Sequence, residues 1–281
     1  MDTNPEADYI SLIGARIRGL EPFYPKWLEE KDGARRLAES VGVRLPKIFF
    51  LGPLSKLQLA ALPDEFVVKP DFASSSIGVH LLCRSDDRFV DVTTGAGISL
   101  DEVFDSLFRA ADRFKLDIDE AIICAEELLK GVDGVAPPAD YRCYCFQGVI
   151  GMVVRDSHMA PGKSELMYFD GNFRPFNDIA DRYSIAEKFQ HLDEIVEAVV
   201  PENWRAIKAV AERVSRATPT PFVRVDLYDT PDGVVFGELT MTPGPYFYGN
   251  RKLMSGAESE RLGRLWLDAK MRLDVERGKH S

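Results

Sequence analysis

The residues of this 281-residue chain whose types and spacing suit them to chemistry lie in two apolar runs, Phe222 to Tyr228 and Val234 to Met241, separated by Thr230-Pro231-Asp232-Gly233. Such runs around a Pro-Asp-Gly turn predict a β-hairpin. A three-residue loop with Gly233 left-handed sets Asp226 opposite Glu238 and Arg224 opposite Thr240 on one face. Val225, Leu227, Val235, Gly237 and Leu239 then occupy the other face. Two carboxylates facing each other across a strand pair repel, so their face needs a cation or a shared proton. Magnesium, an oxygen-seeking ion held by one or two carboxylates together with substrate phosphate, suits the arrangement. Two solvated acids on an amphipathic hairpin are the competing reading.

A place for phosphate occurs earlier in the chain. Lys69 ends the apolar run Phe66-Val67-Val68 and precedes the small-residue stretch Ala73-Ser74-Ser75-Ser76-Ile77-Gly78, whose N–H groups and hydroxyls suit phosphate oxygens. The G-x-x-x-x-G-K-[ST] pattern of a P-loop is absent, and a lysine beside a plain surface turn is the alternative. Glu126-Glu127-Leu128-Leu129 closes a second apolar run where a planar base fits against backbone donors and acceptors. Asp140, opening the next strand, suits ribose hydroxyls, and an exposed loop acid is the plainer reading.

The elements that must position these groups follow from periodicity. Tyr9 to Leu20 and Lys26 to Val41 read as helices, the second stopped by Gly42, before a short strand at Ile48 to Leu51. Glu65 to Pro70 and Val79 to Cys83 read as strands, Leu100 to Phe114 as a helix and Ala121 to Leu129 as a buried strand. Tyr141 to Phe146 returns across Gln147-Gly148 into Val149 to Arg155, and Asp156 to Asn177 reads as a long loop with a short strand near Leu166 to Phe169. Helices over Pro201 to Ala217 and Ser259 to Arg277 flank the acidic hairpin. The expected organisation is α+β: a reduced, mostly helical leading module over 1–64, a small lobe over 65–129 and a large lobe over 130–281.

Composition narrows the partners. With 45% hydrophobic residues the chain can bury a sizeable core, and 35 basic against 45 acidic residues give a net charge of −10 that repels nucleic acid and anionic lipid. No apolar run reaches the roughly 20 residues of a spanning helix. The start Met1-Asp2-Thr3-Asn4-Pro5 is no export signal, and the four cysteines lie in apolar runs, so a cytoplasmic setting with free thiols is expected. Cys143-x-Cys145 has no second thiol pair or histidine at zinc spacing, and the histidines are scattered.

Taken in order, Phe66-Val67-Val68-Lys69-Pro70, Ser74 to Val79, Ala125 to Leu129, Arg224-Val225-Asp226 and Glu238 to Gly244 resemble the motif series of the ATP-grasp superfamily. The D-alanyl-D-alanine ligases show a similar series. Lys31-Asp32, Asp140 to Gly148 and Pro221 to Asp229 extend the resemblance to the TupA-like ATP-grasp proteins, linked to teichuronopeptide and cell-surface polysaccharide biosynthesis.

The resemblance implies an ATP-grasp fold of two α+β lobes enclosing a nucleotide, with ATP and one or two magnesium ions. Lys69 is expected at the α- or β-phosphate, Ser74, Ser75, Ser76 and Gly78 over the triphosphate, Glu126, Glu127, Leu128 and Leu129 at adenine, and Asp140 at ribose. Asp226 and Glu238, with Thr240, are expected to hold magnesium, and Arg224 to stabilise the transferring phosphoryl group. The implied activity joins a small-molecule, peptide or saccharide carboxylate to an amine through an acyl phosphate. Arg155, Lys163, Tyr246 and Arg251, with Tyr248 and Lys252, are candidate substrate contacts. A kinase acting on a small-molecule hydroxyl and a non-catalytic ATP-binding protein are the alternatives, and because the leading module is short, part of the substrate site is expected from the long loop or from a second subunit of a homodimer. Two positions depart from the pattern: Thr240 stands where an asparagine is usual, and the phosphate loop lacks its preceding glycine.

Overall fold

A computed structural model describes residues 8–73, 76–85, 88–159 and 162–278. In chain order these form α1 (Tyr9–Ile17), α2 (Lys31–Ser40), β1 (Ile48–Pro53), β2 (Glu65–Pro70), β3 (His80–Ser85), β4 (Arg88–Asp91), β5 (Gly97–Ile98), α3 (Leu100–Arg113) and β6 (Ile122–Glu126). There follow β7 (Asp140–Phe146), β8 (Val149–Asp156), β9 (Ser164–Phe169), the single turn α4 (Ile179–Arg182), β10 (Tyr183–Ile185), β11 (Asp193–Ile195) and α5 (Trp204–Ala217). The chain closes with β12 (Val223–Thr230), β13 (Gly233–Thr240), the short α6 (Gly244–Phe247), β14 (Lys252–Met254) and α7 (Gly256–Gly278).

The chain divides into two compact units, one from Pro46–Pro138 with Met159–Pro161, the other from Met1–Leu45, Ala139–His158 and Gly162–Ser281. The expected leading module over 1–64 is therefore divided. α1 and α2 belong to the larger unit, where Tyr9 and Ala38 are fully buried, whereas β1 pairs antiparallel with β6 in the smaller one. The cause is local: α1 and α2 carry apolar stripes that need a core, and β1 carries ladder groups that need a strand partner.

The smaller unit is a six-stranded antiparallel sheet in the order β1-β6-β2-β3-β4-β5. α3 covers one face. It starts in a capping box, with Ser99 Oγ accepting from Glu102 N–H while the Glu102 carboxylate accepts from Ser99 N–H, and it buries Val103, Leu107, Ala110 and Ala111. Val103, Leu107 and Ala111 share a core with Phe66, Val68, Leu82 and Phe89.

The larger unit carries the sheet β11-β9-β8-β7-β12-β13, parallel only between β11 and β9, and a two-stranded ladder β10-β14. Strand alternation gives its main sheet two apolar faces. Cys143, Cys145, Val153, Val225 and Leu227 meet Ala34 and Ala38 of α2 and Ile207, Ala211 and Val214 of α5. Tyr144, Phe146, Met152 and Val154 meet Tyr9 and Ile13 of α1 and Leu262, Trp266 and Ala269 of α7. Each large side chain fully withdrawn in this way contributes about 1.5–3 kcal/mol. The short strand expected near Leu166 to Phe169 within Asp156 to Asn177 is present as β9, where Leu166 and Phe169 supply one fully buried residue to each core. Among the described residues no helix is long and apolar enough to cross a membrane.

Candidate functional site

The hairpin β12–β13 places Asp226 opposite Glu238 and Arg224 opposite Thr240. It reaches that register by a different route from the expected three-residue loop. Thr230 pairs with Gly233, which leaves Pro231-Asp232 as a two-residue turn, and the ladder shifts at Gly237 before Asp226 meets Glu238. Gly233 is left-handed at φ 106°. The two-residue turn sets Phe236, rather than Gly237, opposite Leu227 and into its core, and the bulge, which adds one residue to one strand, restores the expected register at Asp226. A Cβ at position 237 would come within 3.1 Å of the Asp226 carbonyl oxygen, which is why the bulge residue is glycine.

Four polar side chains gather on the other face. Arg224 donates through Nε and Nη2 to both carboxylate oxygens of Asp226, the Nε bond being 2.7 Å. Arg224 Nη2 stands 3.8 Å from Glu238, and Thr240 Oγ1 donates to Glu238 at 2.8 Å. Asp226 and Arg224 are buried, whereas the Glu238 side chain is 62% exposed on the edge strand. Burial pushes the Asp226 carboxyl above the usual carboxylate range; Arg224 opposes the rise and Glu238 adds to it.

Among the described residues no group of three or more His, Cys, Asp or Glu side chains is arranged to hold a metal ion. Two carboxylates and a hydroxyl fit magnesium that brings its remaining oxygens from phosphate and water, rather than an all-protein cage.

The same sheet face continues onto β7 and β8. Arg142 lies opposite Asp226, and Tyr144 opposite Arg224. Arg142 donates to Asp156, to Asp140 at 2.8 Å and to His158 Nδ1 at 3.1 Å. Asp156 is fully buried and also accepts from Ser164 and Lys252, each at 2.6 Å. Burial would raise its pKa, but Arg142, Lys252 and Ser164 hold it well below the usual range. Burial lowers the pKa values of Lys252 and His158, against the opposing pull of Asp156 and Asp140 respectively. Asp140, expected at ribose, is thus buried and engaged by Arg142. The alternation Asp140, Arg142, Tyr144 is the sequence signal for this strip.

In the smaller unit Lys69 forms an ion pair with Glu126, its diagonal neighbour on β6, since Lys69 pairs with Cys124. The Glu126 side chain therefore holds Lys69. Glu127 N–H donates to the Lys47 carbonyl at 2.8 Å, and the Glu127 carboxylate accepts from Lys47 N–H, while Leu128 and Leu129 are buried. Ser74 and Ser75 lie outside the described residues. Ser76 and Gly78 are both left-handed, and Gly78 fits because a Cβ there would press on Pro70 and Ala110.

The candidate substrate contacts do not gather in one place. Arg155 lies opposite Tyr141 and Met167, on the sheet face away from Asp226. Lys163 is 3.9 Å from Glu194 on the surface. Arg251 makes an ion pair with Asp193, its Nη2 bond being 2.7 Å. Tyr246 is buried, its hydroxyl bonded to that of Tyr168 at 2.9 Å, so it supports the core and offers no exposed contact.

An antiparallel smaller sheet backed by a helix, and a larger sheet bearing a carboxylate hairpin, define an α+β protein of the ATP-grasp class. The similar solved structures agree in fold. One is D-alanine–D-alanine ligase from Bacillus anthracis, at 15% identity and TM-score 0.53, covering 96% of this chain and 78% of that one. Its ATP complex aligns at 13% identity and TM-score 0.50, covering 89% and 68%. No curated protein sequence matches. The chain belongs to the family described as TupA-like ATPgrasp, whose model matches residues 20–255.

Proposed function

We propose that this protein is an ATP-dependent carboxylate–amine ligase, acting in the assembly of a peptide or saccharide conjugate of the cell surface. The observation that carries the reading is the pairing of Asp226 with Glu238 beside Arg224, a carboxylate pair with its own guanidinium on one face of the hairpin. Family membership supports the nucleotide and the reaction class. The reading places the reaction in the cytoplasm, where ATP is supplied.

Asp226 and Glu238, with Thr240 as a neutral neighbour, would hold magnesium, which supplies charge neutralisation at the phosphates when bound. A substrate carboxylate oxygen attacks the terminal phosphorus of ATP; the new O–P bond forms as the bond to the bridging oxygen breaks, and ADP leaves. Arg224 offsets the charge spread over the transferring oxygens. An amine then attacks the acyl carbon, the C–N bond replaces the C–O bond to phosphate, and the amine proton passes to solvent. Lys69, held by Glu126, binds nucleotide phosphate.

The test is phosphate release across a panel of acids and amines, with Asp226→Asn as control. Release that needs both acid and amine, and that falls in the variant by more than the ~10–100-fold typical of outer-shell partners of a metal, is expected. ADP formed with a hydroxyl compound alone would replace the ligase reading with a kinase. Thr240 favours one second reading, a nucleotide-binding protein without turnover, which tight Mg·ATP binding without phosphate release on any pair would establish.

A further inference from the structure

Arg142 stands opposite Asp226 on the same face of the larger sheet, one strand in from the hairpin. Its terminal nitrogens are spoken for: Nη1 by Asp156, Nη2 by Asp140 and His158. Its third nitrogen, Nε, is buried and has no hydrogen-bond partner among the described residues. An arginine Nε–H can only donate, and a buried donor without an acceptor is rare enough in folded proteins to mark a place for an oxygen from outside the chain.

Charge decides what kind of oxygen. On this face Arg142, Arg224 and Lys252 stand against Asp140, Asp156, Asp226 and Glu238, and burial favours neutral His158. A divalent ion on Asp226 and Glu238 turns that slight acidic excess into a cationic one, and the face then favours an anion. Three acceptors already fix the guanidinium, so a ligand oxygen that meets Nε–H orders little further side chain.

We propose that Arg142 is a second arginine of the phosphoryl site, its Nε–H donating to an oxygen of the terminal phosphoryl group of the nucleotide. The inference rests on the nucleotide reading above and assigns to β7 a contact that the hairpin alone does not supply. Two arginines, Arg224 on β12 and Arg142 on β7, then flank the position of Asp226.

The experiment compares magnesium with AMP-PNP, which carries a terminal phosphoryl group, against magnesium with ADP, which does not. Calorimetric titration is run on wild type, Arg142→Lys and Arg142→Gln, each with thermal denaturation of the unliganded protein. Arg142→Lys is expected to weaken AMP-PNP about tenfold or more while ADP changes less than about twofold, as for loss of one charged hydrogen bond. Equal loss for both nucleotides, or no loss for either, would show that Arg142 only frames Asp140 and Asp156, and the proposal would fall. Where neither variant folds, the wild-type crystal structure with magnesium and AMP-PNP decides. A terminal phosphoryl oxygen within about 3.2 Å of Nε supports the proposal, and a water or nothing there overturns it. Wild type that binds neither nucleotide rejects the ligase reading along with this one, whereas wild type that binds both without discrimination by Arg142 rejects this one alone.

Discussion

Arg224 and Asp226, two residues apart on β12, share a face, and the guanidinium of the first closes on both carboxylate oxygens of the second. On the proposed reading, magnesium would compete with an internal cation for Asp226, and the displaced arginine would become available to the phosphoryl group. Removing that cation leaves a buried carboxylate beside Glu238 without the guanidinium that binds both its oxygens. Arg224→Ala should lower stability without metal by about 3–5 kcal/mol, the usual cost of breaking a buried pair. It should also gain more than wild type from added magnesium, because a ligand of the native state stabilises in proportion to its affinity. Thermal denaturation with and without magnesium reads both, and an equal magnesium increment in the two proteins would mean that Arg224 does not compete for the site.

Asp156 makes a prediction about acid. Its folded pKa is depressed below the unfolded value, because Arg142 and Lys252 outweigh its burial. Its stabilisation is therefore fully present above about pH 4, near the unfolded pKa of aspartate, and is lost as pH falls toward the lower folded value. Asp156→Asn should be less stable at neutral pH, by about 3–5 kcal/mol for a broken buried pair. The melting curves of variant and wild type should draw together as pH falls below about 4 toward the depressed folded pKa, where the aspartate also becomes neutral. A constant gap between them from pH 7 to pH 2 would remove this account of the cluster.

Gly237 and Gly233 separate turn stability from metal binding. A side chain at Gly237 meets the Asp226 carbonyl and the Tyr228 ring, so Gly237→Val should cost about 1–3 kcal/mol through overpacking and should disturb the carboxylate pair itself. Gly233→Ala meets no atom of the described residues but holds a left-handed backbone at a cost of about 1–3 kcal/mol, away from the pair. Magnesium titration in the presence of ADP should show weakened binding for Gly237→Val alone. Equal weakening in both variants would mean that the bulge plays no special part.

Much of this is legible in the sequence, for reasons that differ from residue to residue. The opposition of Asp226 and Glu238 was legible because strand alternation is strict, although two compensating details, a shorter turn and a bulge, lay behind it. The fate of Asp140 was not legible, since its partners Arg142 and His158 are fixed by the β7–β8 hairpin and by the chain just beyond it. Tyr246 looked like a loop aromatic near the hairpin, and only the tertiary contact with Tyr168 shows it to be core. Arg155 was misjudged by parity alone: one residue along β8, Val154 shares the Asp226 face and Arg155 does not. The short strands β10, β11 and β14, three residues each, carry too little pattern to register in a sequence.

The ion pair between Lys69 and Glu126 gives the last prediction. The two side chains are 26% and 10% exposed, so the pair is partly screened, and its loss should cost the smaller unit only about 1 kcal/mol. Its value lies in position, because Glu126 aligns the ammonium at the end of β2. Lys69→Met removes the ammonium and should weaken Mg·ATP about tenfold or more, as expected for a charged hydrogen bond to phosphate. Glu126→Gln keeps the ammonium and loosens its anchor, so nucleotide affinity should fall less than about threefold even though a similar ~1 kcal/mol of stability is lost. Calorimetric titration of Mg·ATP into the two variants, with their melting temperatures, separates the roles. Affinity unchanged in Lys69→Met would reduce the pair to a structural contact of the smaller sheet, and a larger loss in Glu126→Gln than in Lys69→Met would move the nucleotide contact from the lysine to the glutamate.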